Sequence, residues 1–411
     1  MKRRIIGSAL AVVLLATVPG LIIARTASAS GTVTYTGPQW NKILAQAKGE
    51  TVNWYMWGGS TEINAYVNDY LGAQAKKYGI RLNQVKLNGT ADAVNKVLGE
   101  KQAGNRTKGG VDMIWINGEN FATGVQAGIW KCGWATKLPS ARYVDWTNSS
   151  VNHDFGLPVN GCEAPWASAS SGLIYDSKVI SSSAASSLST FIDWVKAHPG
   201  QFTYPAPPDF NGSMTVRRLF YFANGGYSNF LGKFDQAKFD AGMAKTAQLL
   251  NDLKPYLWRK GATYPATIGD LEKLYANGEV SAYLDYGALA AFTNVDTGLF
   301  PKSTRVSGFK EGTIGNISYV TIPFNSPHWA GAQVIANIME SPAAQFKMQT
   351  DGVIGSPAIN MSLTTLSKKY RALPVHPSSV SPSVLAKNAN PELTSAWLKA
   401  IDAGWQASVQ K

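Results

Sequence analysis

Residues 51–87, TVNWYMWGGSTEINAYVNDYLGAQAKKYGIRLNQVKL, decide the fold. Thr51–Trp57 is rich in β-branched and aromatic residues and reads as a strand. Gly58-Gly59-Ser60 interrupts it, and Ser60 is a good helix cap. Ile63, Tyr66, Val67, Tyr70, Leu71, Ala75 and Tyr78 follow at the i, i+3, i+4, i+7 spacing of one buried helix face. Gly79 stops that helix, and Ile80–Leu87 returns as a strand. The alternation continues: Ala91–Ala103 is helical by composition, Val111–Ile116 (VDMIWI) is an apolar run of strand length, and Glu119–Ile129 is a helix. Such β-α-β-α order predicts a parallel sheet covered on both faces, the doubly wound α/β arrangement.

A second alternation begins near Ser170. Gly172–Tyr175, Phe202–Tyr204 and Val280–Tyr286 read as strands; Leu188–Ala197, Met214–Ala223, Asp235–Leu250 and Ile268–Ala276 read as helices, with Ala330–Met339 and Pro342–Thr350 helical again. The expected architecture is two doubly wound α/β lobes joined by a hinge. Lobe I takes residues 30–163 plus about 287–327. Lobe II takes 167–286 plus about 328–411. The hinge lies near 162–168, 286–288 and 325–330. Open α/β sheets bind ligands beyond the carboxyl ends of their strands, so two facing lobes make a cleft walled by strand-to-helix loops.

Residues 1–29 carry a basic head (Lys2, Arg3, Arg4), an apolar run from Ile5 to Ile23, and Ala27-Ser28-Ala29. That order is an export signal with cleavage expected after Ala29. An uncleaved anchor is the alternative, weakened by Gly7, Ser8, Thr17, Pro19 and Gly20. No cysteine follows the apolar run, so the lipoprotein attachment residue is missing. The expected location is the periplasm or the extracellular space. The formal charge of +12 includes Lys2, Arg3, Arg4 and Arg25 and is otherwise spread thinly; its densest clusters, Lys76-Lys77, Arg217-Arg218 and Lys368-Lys369, are pairs. A nucleic-acid protein concentrates its charge, so this excess reads as general surface charge, with no nucleic-acid partner. The two cysteines, Cys132 and Cys162, are expected to pair in an oxidising compartment, closing a loop whose entropy suggests ~3–4 kcal/mol of stabilisation. The histidines are scattered without metal-ligand spacing, so neither a metal nor a cofactor is expected.

Four segments, Val52–Ser60 (VNWYMWGGS), Val111–Asn120 (VDMIWINGEN), Trp166–Asp176 (WASASSGLIYD) and Ile268–Tyr286 (IGDLEKLYANGEVSAYLDY), jointly and in this order after a signal, resemble the extracellular solute-binding proteins of bacterial ABC importers, family 1, with the type II periplasmic-binding fold. The WGGS and WINGEN strings are most similar to the YnjB-like branch. The resemblance implies capture and delivery without catalysis: a monomer binds a small solute, closes by hinge bending and docks on a membrane permease. The chain has no G-x-x-x-x-G-K-[ST], so the importer's ATPase is a separate protein.

The loops name the candidate contacts. Trp57, Gly58, Gly59 and Ser60 follow the first strand; Asn117, Glu119 and Asn120 follow the third; Trp166 and Ser168, with Ser170, lie at the hinge; Asp209, Asn211 and Ser213 precede a helix; Asp285 and Tyr286 end the last strand. Ser60, Asn117, Asp209 and Ser213 are equally suited to capping, and Glu119 to complementing a helix dipole. Aromatic rings beside carboxylates suit a cationic heterocycle such as thiamine, or a polyamine; a sugar also stacks on tryptophan. Two other functions stand as alternatives: a secreted hydrolase using Glu119 and Asp209 as its carboxylate pair, and a sensory or adhesion module of the same fold.

Overall fold

The computed structural model describes residues 34–386 and 389–410, so the expected export signal lies outside the described residues. Helix α1 (Gly37–Ala47) leads into β1 (Thr51–Trp57), the expected strand with the expected bounds. Val52, Trp54 and Met56 are buried on one face of β1, which fixes its register against the core. Helix α2 spans residues 61–76, with a π turn over Tyr66–Leu71. The Ser60 hydroxyl accepts from the Ile63 N–H at 3.2 Å and caps it. Strand β2 (Arg81–Leu87), helix α3 (Ala91–Gln102), strand β3 (Met113–Ile116) and helix α4 (Gly118–Ala127) complete the first alternation. Strand β1 is central and parallel to both β2 and β3.

The chain then runs through β4 (Glu163–Ser170) into β5 (Gly172–Asp176), α5 (Leu188–Ala197), α6 (Phe210–Ala223), α7 (Gln236–Leu253), α8 (Ile268–Ala276), β6 (Ala282–Asp285) and β7 (Thr304–Ser307). Strand β5 is flanked by β6 and β7, antiparallel to both. The expected strand Phe202–Tyr204 contributes one parallel bridge, Phe202 to Ala282. Strand β8 (Thr313–Thr321) follows, then α9 (Trp329–Met339), α10 (Pro342–Thr350), β9 (Ala389–Asn390) and α11 (Ser395–Ser408).

Two pieces of chain sit with the sheet opposite to the one expected. Residues 287–307 stay with the second sheet, because β7 pairs with β5. Helices α9 and α10 bury Ala330, Val334, Ile335 and Met348 against Val52, Trp54 and Ile43 in the first sheet's core. The chain therefore does not change sheets near 286–288. Its return runs through β8, which pairs antiparallel with β4 along one edge and with β3 through Tyr319–Thr321, and parallel with β9 through Thr313–Ile314. The paired strands β4 and β8 are the link between the two sheets.

The second core gathers Phe191, Val195, Met214, Leu219, Leu253 and Leu284 with Trp397 and Trp405 of α11. A fully buried indole removes about 200 Å² from water, roughly 5 kcal/mol before entropy is charged. Cys132 and Cys162 form a disulfide. Among the described residues, no helix is long and apolar enough to cross a membrane.

Candidate functional site

The loops after β1 and β3 and the start of α6 bring most of the expected residues to the region between the two sheets. Trp57 is half-buried and packs on both the first sheet's core and the cluster of Ile268, Leu271 and Tyr283. Its ring lies edge-on to Trp115 at 6.3 Å. A Cβ at Gly59 would fall 2.3 Å from that ring, so Gly59 is required for the indole to fold over the loop. The Ser60 hydroxyl donates to Glu62 Oε2 at 2.9 Å while capping α2.

Carboxylates from the second sheet face this corner. Asp285 is buried, and its Oδ1 accepts from the Gly287 N–H at 2.9 Å. Burial, opposed by that N–H and reinforced by the nearby charge of Asp209, pushes Asp285 up to about 6. Glu272 of α8 is pushed up to about 8 by burial, then by Asp285 and by Glu62 of α2. Glu62 comes from the first alternation and Glu272 from the second, so like charges meet across the gap.

Asp209 and Asn211 have structural duties. Asp209 Oδ1 accepts from the Asn211 and Gly212 N–H groups at 3.0 and 2.9 Å, and its Oδ2 accepts from Ile268 N–H at 3.2 Å, so one carboxylate ties the starts of α6 and α8 together. Asn211 Oδ1 accepts from Tyr286 N–H at 3.0 Å, fastening α6 to the end of β6. The Ser213 hydroxyl donates to Asp402 of α11 at 2.6 Å.

An aromatic series occupies the other side of α6. The Tyr286 ring stacks on Phe210, 5.0 Å between centroids, and Phe210 lies 6.5 Å from Phe155. Phe155 and Gly156 form the turn between the paired residues His153–Asp154 and Leu157–Pro158, with φ of 45° and 76°. A bulky side chain in left-handed backbone costs about 1–3 kcal/mol and is held only where its surroundings dictate it. Here the ring is buried in the second sheet's core, 6.0 Å under the Arg217 guanidinium and against Gly118 at the start of α4. Asp154 Oδ2 accepts from the Gly118 N–H at 2.7 Å and anchors the turn to the start of α4. Arg217 forks onto Glu392, Nε to Oε2 at 2.9 Å and Nη2 to Oε1 at 3.1 Å, and the Tyr286 hydroxyl joins the same carboxylate.

Two expectations are corrected, and the remaining loop residues take the places given after them. Trp166 does not line a cleft floor: it is 1% exposed, between Trp54 and Trp115 in the first sheet's core. The Arg217-Arg218 pair is not surface charge; both side chains are buried, one on Glu392 and the other over Phe309. Ser168 is bound through its backbone to Ser356. Asn117 is half-buried and makes no capping bond, Asn120 is half-buried beside it, and Glu119 lies 3.9 Å from Lys399 of α11. Phe155, Phe210 and Tyr286 thus form one aromatic series and Trp57 packs with Trp115, while Glu62, Glu272 and Asp285 are the carboxylates whose charges meet across the gap. Glu62 and Glu272 lie on amphipathic helices where a glutamate reads as solvated. Phe155 has no periodic context, and only its position before Gly156 signals a turn. Among the described residues, no group of three or more His, Cys, Asp and Glu side chains could hold a metal ion.

Comparison with known proteins gives concordant results. The family described as bacterial extracellular solute-binding protein matches residues 65–375. Protein YnjB of Escherichia coli (strain K12) is 34% identical over 366 residues, covering 89% of this chain and 92% of that protein. An ABC transporter substrate-binding protein from Bradyrhizobium japonicum superposes with a TM-score of 0.63 at 16% identity, over 88% of this chain and 100% of the other. A Listeria monocytogenes structure described as a spermidine/putrescine ABC transporter gives 0.61 at 14% identity, over 87% and 98%. At these identities the two structures establish the fold, which is α/β and of the type II periplasmic-binding class.

Proposed function

This chain belongs to the bacterial extracellular solute-binding proteins, and we propose that it captures a small cationic solute between two lobes and delivers it to the permease of an ABC importer. The carrying observation is the corner at Trp57. Glu62, Glu272 and Asp285 are drawn from both sides of the gap; burial raises the carboxyls of Glu272 and Asp285, and repulsion from Asp285 and Glu62 raises Glu272 further. A cation placed there relieves that repulsion and stacks on an aromatic face. A polyamine or a cationic heterocycle such as thiamine has both properties, whereas a neutral sugar leaves the charges opposed.

One lobe in this proposal is the first sheet with α9 and α10. The other is the second sheet with α5 to α8 and α11. Strands β4 and β8 form the hinge. A solute touching both lobes has higher affinity for the closed form and shifts the population toward it. The mature protein works as a monomer outside the cytoplasmic membrane after its leader is removed, with permease and ATPase as separate chains. Asp209 spends both carboxylate oxygens on three backbone N–H groups, and Glu119 faces Lys399. That leaves the hydrolase alternative without its carboxylate pair and supports a non-enzymatic role.

The test is a thermal-shift screen with putrescine, spermidine, thiamine, glucose and phosphate, since a ligand that binds only the folded state raises the melting temperature. A cation should stabilise the wild type, and Glu272→Gln should weaken that gain. Stabilisation by glucose or phosphate alone would overturn the cationic assignment.

A further inference from the structure

A cavity of about 320 Å³ lies between β8, the Phe155-Gly156 turn and the segment 391–394. None of the residues expected to hold the solute lines it. One wall carries Asp154 and Phe155, another Asn316 and Ile317 of β8, and the third Leu393, with Leu231 also on its lining. Its size falls at the lower end of small-molecule pockets.

The polar groups on this lining are incompletely matched. Asp154 is 2% exposed, and the Gly118 N–H reaches only Oδ2. Among the described residues, no cation pairs with Asp154. Glu392, the other carboxylate on the lining, is already neutralised by Arg217. The Asn316 amide nitrogen is buried without an acceptor. Phe155, Ile317, Leu231 and Leu393 supply apolar surface. A buried carboxylate without a counter-charge, beside apolar walls, selects a ligand with one positive charge and a compact apolar body.

We propose that this cavity is a second small-molecule site that takes a compact primary amine, with the Asp154 carboxylate as counter-ion and Phe155 as its apolar wall. The strained turn is consistent with that role, because it holds Asp154 and Phe155 side by side on the lining. Burial also lifts the Asp154 carboxyl to about 7, the environment in which a bound ammonium gains most from ionising it. The walls come from both sides of the molecule. The Tyr319 hydroxyl donates to Val151 O next to the turn, and the Tyr221 hydroxyl of α6 donates to Pro391 O. An amine that touches both walls therefore favours their apposition.

The probes are benzylamine, benzyl alcohol and benzoate, titrated by calorimetry into the full mature chain. Benzylamine should bind at least tenfold more tightly than benzyl alcohol, and benzoate should not bind. Asp154→Asn should lower benzylamine affinity at least tenfold while leaving benzyl alcohol unchanged. Leu231→Trp places a large ring at a position that is 51% exposed on the cavity lining; it should block both probes without threatening the fold. Trp57→Ala should leave benzylamine binding intact, which separates this site from the solute corner. Equal affinity for amine and alcohol, absence of amine binding, or loss of amine binding in Trp57→Ala with retention in Leu231→Trp would each overturn the proposal.

Discussion

Replacing Asp154 with asparagine should stabilise the protein, and increasingly so as pH rises. The carboxyl is fully buried, accepts one backbone N–H and feels the charge of Glu392; its pKa rises from 3.8 to about 7. A group raised on folding contributes stability that is fully present below its unfolded pKa and lost as pH climbs through the folded value. At ~1.36 kcal/mol per unit, ionising Asp154 costs the fold about 4 kcal/mol in all, of which roughly 3 kcal/mol is lost between pH 5 and pH 8. The asparagine oxygen still accepts from Gly118 N–H but needs no ionisation. With an unfolding entropy of ~2.1 cal/mol/K per residue over roughly 380 residues, the melting-temperature gap between variant and wild type should widen by about 3 °C from pH 5 to pH 8. Scanning calorimetry of both proteins at matched ionic strength measures that gap. Buried Glu340, also raised, shifts both curves equally and cancels; Glu163 is raised by burial and then by the Asp154 charge, so removing that charge adds to the widening of the gap as pH rises. A gap that stays flat or narrows would show that Asp154 is solvated or paired, and the reasoning would fail.

Four further outcomes are expected. Binding of a cation at pH 7 should release protons, because Glu272 sits at about 8 and ionises when the ligand arrives; calorimetry in two buffers of different ionisation enthalpy reads this, and proton uptake would contradict it. Glu392→Gln leaves the Arg217 guanidinium buried without its counter-charge and should cost about 3–5 kcal/mol in urea denaturation; a loss below about 1 kcal/mol would mean that water reaches the arginine. Trp57→Ala should weaken solute binding at least tenfold and cost only about 1–2 kcal/mol of stability, because the ring is half-buried; a larger collapse would make Trp57 a core residue first. Serine at both Cys132 and Cys162 should lower stability by about 3–4 kcal/mol, given the 30-residue separation, and an unchanged urea midpoint would refute it.

Local pattern carried the elements well where a single face is buried. Strand β1 and helices α5 and α8 have the bounds that alternation and helical spacing predict. Helix α6 starts four residues earlier than Met214, because Asp209 caps it through a loop that reads as irregular. Strand β8 was not legible at all. Its TIGNISYVT string carries glycine and asparagine mid-strand, and its pairing partners lie far away in sequence. Without β8, the assignment of 287–307 and of α9 to a sheet could only be guessed from chain order. At the site, residue type located the loops but not the division of labour. Asp209, Ser60 and Ser213 look alike as capping and contact residues, and only the fold shows which N–H or carboxylate each one meets. Arg217 was hidden because a buried arginine depends on Glu392, which is 175 residues away.

The central claim is that a solute draws two lobes together about β4 and β8. Spin labels placed at the exposed Lys96 of α3 and Lys273 of α8, with their separation measured before and after adding the stabilising solute from the thermal-shift screen, test it most directly. A shift to a shorter, narrower distance distribution is predicted. An identical distribution with the solute demonstrably bound would contradict hinge closure and leave a rigid binder in its place.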